Sequence, residues 1–208
     1  MANVNRPKGL SPIATSDGNG WNQQANLYSI ANDASNTYAI GDIVQLTAGS
    51  DANGVSNITK WAGTVGASTL PLGVVVGIRV ANPGVSLVAP NLSLNTVYLP
   101  KSSGQAYAYI VDDPAVIYEL QGDSTVFATS NANNNVNVTI TADQSASLSQ
   151  SSPYSSTVAT APATTNSLPL QVLGYVQRPD NSVGAYAALR VRFNVNAAYG
   201  GTTGRTGV

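Results

Sequence analysis

The chain has 208 residues, enough for one domain, and 43% of them are apolar, but only 9% are charged against about 25% in ordinary soluble domains. It has no cysteine and no histidine, which excludes disulfides, thiol chemistry and Cys-based metal sites and removes the commonest general base and metal ligand. The net charge is -1 and the nine basic residues stand singly along the chain, a pattern that argues against nucleic-acid binding.

Residues 1–20 contain Pro7, Gly9, Pro12, Gly18 and Gly20 and read as an irregular N-terminal arm. The first residues lack the apolar run of a secretory signal, so synthesis in a cytoplasm is expected. Residues 38–46 form the first β-branched run. Asp51-Ala-Asn-Gly54 then reads as a hairpin tip. It opens like a calcium loop, but the sixth and twelfth positions, where such a loop needs Gly and Glu, hold Ser56 and Ala62. Residues 72–80 include Leu72-Gly-Val-Val-Val-Gly-Ile78, which is apolar on both faces and belongs in the middle of a sheet system.

Strands are expected at 96–99, 106–111 and 116–120. Between the last two, Asp112-Asp113-Pro114 reads as a tight corner, because Pro114 fixes its own φ and pushes Asp113 out of the helical region. A glycosidase pair would need opposed carboxylates at a set separation, which adjacent residues at a corner do not supply. Glu119, the sole glutamate, is expected to face solvent. After a strand at 136–141, residues 143–169 are dominated by Ser, Thr, Ala and Pro and form a long loop, of a length that is either functional or disordered. Residues 170–177 and 185–195 read as a hairpin joined through Pro179-Asp-Asn-Ser-Val-Gly184; in its second strand Leu189, Val191, Phe193 and Val195 alternate with Arg190, Arg192 and Asn194. Residues 196–208 end in a Gly-rich tail expected to move in solution unless a neighbouring subunit holds it.

The expected fold is therefore all-β, a barrel or jelly-roll-like sandwich spanning residues 21–195. It carries an extended N-terminal arm (1–20), a long Ser/Thr-rich loop (143–169) and a Gly-rich C-terminal tail (196–208). No stretch approaches the roughly 20 apolar residues of a membrane span, and no membrane partner is expected. A surface of amides and hydroxyls exchanges water for a partner's backbone at lower cost than a charged one, so the body suits protein contact. Trp21, Tyr154 and Tyr199 are large aromatics among small residues and are candidate interface anchors, with carbohydrate stacking as the competing reading.

The chain resembles a family of phage head decoration, or cement, proteins encoded beside the major capsid protein. The resemblance runs along the whole chain. It rests on Asn5-Arg-Pro-Lys-Gly-Leu-Ser-Pro12, Trp21-Asn22, Tyr38-Ala-Ile-Gly-Asp-Ile-Val-Gln-Leu46, Leu72-Gly-Val-Val-Val-Gly77, Val111-Asp-Asp-Pro-Ala-Val-Ile-Tyr-Glu119, Leu173-Gly-Tyr-Val-Gln-Arg-Pro-Asp-Asn181 and Gly184-Ala-Tyr-Ala187. The Ser/Thr-rich stretch does not belong to the family pattern. The resemblance implies a non-enzymatic subunit on the capsid exterior, with the major capsid protein and neighbouring copies of itself as partners. It implies no catalytic residue, cofactor or metal. It supports only the arm (Arg6, Pro7 and Trp21) and the tail, where Tyr199 and Arg205 stand, as candidate capsid contacts; Tyr154, in the long loop, is a candidate from its size alone. A receptor- or glycan-binding fibre domain is the alternative; a polysaccharide-degrading enzyme and a small major shell protein are more distant ones.

Overall fold

The computed structural model describes residues 3–80, 98–149 and 151–208. Its strands are β1 (Ser11–Thr15), β2 (Asn26–Ile30), β3 (Tyr38–Ala39), β4 (Ile43–Ser50), β5 (Ser56–Lys60), β6 (Gly73–Val80), β7 (Tyr98–Leu99), β8 (Ala106–Val111), β9 (Val116–Gln121), β10 (Asn135–Thr139), β11 (Val158–Ala163), β12 (Leu170–Tyr175) and β13 (Ala188–Phe193). The expected all-β fold is found. Strands β2-β5-β4-β6-β8 close a barrel, and an antiparallel sheet of order β1-β9-β13-β12-β10-β11 packs beside it.

Two apolar cores result, and consecutive residues divide between them. Ile43 and Val74 join Leu120, Val136, Leu170, Leu189 and Val191 in the layer between sheet and barrel. Val44 and Val75, one position later, join Ile30, Ile58, Leu99 and Ile110 inside the barrel. Strands β4 and β6 thus form a shared wall with both faces covered, which is why the run Gly-Val-Val-Val is apolar without alternation. Across the sheet core, Tyr118 and Phe193 meet edge to face at 5.6 Å.

The expected hairpin of β12 and β13 is present with one register shift between Val172 and Gly174, and Asp51 to Gly54 turn β4 into β5. The run 38–46 is interrupted at Gly41, which splits it into β3 and β4. At the expected strand 96–99, Tyr98 and Leu99 pair with Ala39 and Tyr38, while 96 and 97 lie outside the described residues.

Segments read as loose are tied to the body by named bonds. In the arm, Leu10 is buried and β1 pairs with β9. In the Ser/Thr-rich stretch, β11 pairs with β10, and Ser155 donates its N–H to the Ile40 carbonyl at 2.8 Å. The tail is bonded to the body in the same way. The Asn135 and Asn194 amides both donate to the Arg205 carbonyl, at 2.7 and 3.2 Å, and Arg205 N–H returns a bond to Asn194 Oδ1 at 2.8 Å. Gly204 passes so close that a Cβ there would sit 2.1 Å from the Asn194 carbonyl oxygen. Little apolar burial is needed, because buried amides stand in for a strand ladder.

The arm and the Ser/Thr-rich stretch meet at a buried polar cluster. Asp42 is fully buried, and its Oδ2 takes an ion pair from Lys60 Nζ at 2.9 Å and the Ala39 N–H at 2.8 Å. Its Oδ1 accepts Ser155 Oγ at 2.5 Å and Gln144 Nε2 at 3.1 Å. The Lys60 ammonium also donates to the Thr37 carbonyl at 3.0 Å. Burial lowers the Lys60 pKa from its usual value, and Asp42 opposes that shift. Beside this cluster Gly41, at φ +91°, lies against Gly9: a Cβ on Gly41 would be 2.3 Å from the Lys8 carbonyl oxygen.

Two predictions follow from this crossing. Gly41→Ala and Gly18→Ala share φ +91°, but no heavy atom lies within 4 Å of a Cβ at Gly18. Urea denaturation should show Gly18→Ala costing about 1 kcal/mol and Gly41→Ala about 2–4 kcal/mol; equal costs would mean that close approach is not what requires glycine at 41. Asp42→Ala strands a buried ammonium and should cost about 3–5 kcal/mol, whereas Lys60→Met leaves a carboxylate still holding three donors and should cost roughly half as much. The same melts check it, and the reverse order of the two variants would contradict it.

Candidate functional site

The polar clamps that fix the arm also decide where its candidate residues stand. Asn3 Nδ2 donates to the Ser182 and Ala185 carbonyls, both at 2.8 Å, and Asn3 Oδ1 accepts the Ser182 N–H at 2.8 Å. Gln121, at the end of β9, accepts the Arg6 N–H at 2.9 Å and donates to Asn5 Oδ1 at 3.0 Å. The arm therefore lies along the β9 side of the sheet, with the Arg6 side chain exposed and Pro7 half-buried.

Trp21 follows β1. Its ring packs against the sheet-barrel core, and its Nε1 is buried without a hydrogen-bond partner among the described residues. Trp21 also borders a cleft of about 1000 Å3 whose rim is amide and carboxylate, including Asn19, Gln24, Asn26 and Asp112. The corner read from Asp112 and Asp113 closes one side of this cleft. Asp112 accepts both the Tyr28 hydroxyl at 2.7 Å and the Asn26 amide at 3.0 Å, while Asp113 accepts the Ala115 N–H at 2.8 Å. Burial, reinforced by the bond to Asp112, raises the Tyr28 hydroxyl pKa well above its ordinary value, so it stays a donor. Gln23 adopts φ +64° on the cleft rim. This arrangement can orient a hydroxylated ligand by multiple hydrogen bonds.

Tyr154 and Tyr199 are 46% and 62% exposed. Tyr154 stands where its backbone bridges Ile40. Tyr199 and Arg205 border a common depression with Gln171 and Arg192. The structure thus brings Arg6 and Pro7 together and Tyr199 and Arg205 together, and it puts Trp21 and Tyr154 elsewhere. Glu119 does not simply face solvent: the Arg178 guanidinium reaches its Oε1 at 2.7 Å and its Oε2 at 2.9 Å from Nη1. Among the described residues no group of three or more His, Cys, Asp or Glu could hold a metal ion. No helix of the described residues is long and apolar enough to cross a membrane.

Sequence reasoning found Trp21 by its size but missed the partners around it. Asn19, Gln24 and Asn26 are ordinary residues in an Asn-rich chain, and only the fold sets them beside Asp112. A scan against protein-family models, a search of curated proteins and a search of solved structures each find no match to this chain.

Proposed function

We propose that the chain is a non-enzymatic structural subunit of a phage particle, bound to the outside of the head, where it stabilises contacts between major capsid subunits. The observation that carries this reading is that arm, Ser/Thr-rich segment and tail are all clamped to one charge-poor β body. A body with its loose segments already ordered loses little further entropy on docking, so even a modest interface binds well. The low charge content reduces the desolvation that docking has to overcome. The family resemblance supplies the partner, the major capsid protein, and neighbouring copies of the chain share the same lattice.

Stabilisation would then be a linkage effect. A subunit that binds only the expanded shell shifts the equilibrium toward it, and an interface of about 1,600 Å2 repeated over the lattice is sufficient. The location that follows is the capsid exterior, after synthesis in the host cytoplasm.

The second reading is a receptor- or glycan-binding domain, and the cleft beside Trp21 favours it. Its amide-rich rim and partly exposed indole are the groups that bind sugar hydroxyls and stack on sugar faces. A glycan array probed with the isolated protein separates the two readings, as does the copy number per particle, high for a cement and low for a fibre.

The arm gives the sharper test. Removing residues 1–20 would take Leu10 from the core and β1 from the sheet, so binding and folding would fail together. Removing residues 1–8 takes the polar clamps, two cations and the half-buried Pro7 but leaves Leu10 and β1 in place. That truncation should melt within a few degrees of the full chain yet occupy purified heads much less fully in co-sedimentation. Full occupancy by the shortened chain would refute a role for the arm, and absence of binding by the full-length chain would refute the proposed function.

A further inference from the structure

In sequence the basic residues stand apart, but the fold gathers them. On β13 the buried side chains Leu189, Val191 and Phe193 point to the core, so Arg190 and Arg192 point outward. Arg190 lies opposite Glu119 in the register of β13 and β9, and the same outer surface receives the arm. Arg6, Lys8 and Arg178 border one depression of about 300 Å3 with Glu119 and Asp180, and Arg192 borders the next one with Arg205.

Six of the nine basic residues therefore lie on the outer face of the six-stranded sheet or line these two depressions, and two of the ten acidic ones, Glu119 and Asp180, line them too. Three basic and eight acidic residues remain for the rest of the chain, so a molecule of net charge -1 has a face of +4 and a remainder of -5. Glu119 and Asp180 are both already bonded to Arg178. Arg6, Lys8, Arg190, Arg192 and Arg205 have no carboxylate within ion-pair distance among the described residues. Arg192 is held by an amide, donating from Nε and Nη2 to Gln171 Oε1 at 3.1 and 2.8 Å, so its charge is positioned without being neutralised.

We infer that this basic sheet face is the surface that docks on the partner, and that the partner presents a carboxylate-rich protein surface to it. The inference rests on the reading of the chain as a head-binding subunit and says which side faces the head. Five of the six cations are arginines, whose planar forks pair with carboxylates bidentately, and the exposed Tyr199 stands at the edge of the same surface. Arg and Tyr are the residues that carry binding energy at interfaces. A long polyanion fits less well, because it would run off the face toward the acidic remainder.

The test uses full-length protein and purified heads in co-sedimentation at rising salt. Arg190→Gln with Arg192→Gln removes two positive charges from the face. Thr47→Glu with Ala48→Glu makes the same change in net charge on exposed positions of the β4 hairpin. The first pair should weaken head binding about tenfold and flatten its salt dependence, while the second leaves both unchanged. Poly-L-glutamate should compete for binding better than duplex DNA does. Equal binding by wild type and the arginine pair, or equal loss in both pairs, would overturn the docking face while leaving the head-binding reading intact. Stronger competition by duplex DNA would overturn the carboxylate partner, and a wild-type protein that ignores heads would sink the head-binding reading itself.

Discussion

One buried carboxylate organises this protein. Asp42 collects an ammonium from β5, a backbone N–H from the end of β3, and an amide and a hydroxyl from the Ser/Thr-rich stretch. An ion taken out of water is tolerable only when its lone pairs are filled. Each of those segments is therefore fixed by the cost of leaving Asp42 short of a donor. The Gly9-Gly41 contact locks the arm to the same point, since two chains without side chains can approach where others would clash. A stretch that would otherwise be a long loop is ordered because it completes the coordination of a charge.

The same logic explains the composition. A surface rich in Asn, Ser and Thr suits protein contact, but much of that polar chemistry turns inward here. Asn135, Asn194, Asn196, Gln144, Gln171, Ser155 and Thr157 are all buried. The amides of Asn135, Asn194 and Asn196 donate to backbone carbonyls of crossing segments. An amide is the side chain closest to a peptide group in shape and bonding, so it can extend a hydrogen-bond ladder where no strand is available. A chain rich in irregular crossings needs such residues and has less need of charges.

What could be read from the sequence follows from this division. The strands with strong periodicity or continuous β-branched runs, β6, β8, β9, β12 and β13, were legible because burial on one or both faces writes itself into the pattern. Strands β1, β2, β5 and β11 were not: Pro12 and Pro162 lie within two of them, and Ser-Asn-Ile-Thr-Lys in β5 offers one strongly buried aliphatic, Ile58. They are strands because a neighbour offers its edge, which is a tertiary fact. The ends read as loose in sequence because glycine signals backbone freedom, whereas Gly204 and Gly9 mark close approach. Trp21 was legible as an exposed-type aromatic, but the polar rim beside it has no signature at the level of spacing.

Scarcity gives the remaining charges their meaning. In a protein with charge on every surface, a few unpaired arginines would be solvated background. Here acids that could neutralise them are placed elsewhere, and the two that remain nearby share a single arginine. Net charge of -1 then conceals an uneven distribution, and the field of the unpaired cations acts over about one Debye length, some 8–10 Å in physiological salt. Apolar burial and buried amides build the body; a small number of uncompensated cations gives one side of it a charge that the rest lacks.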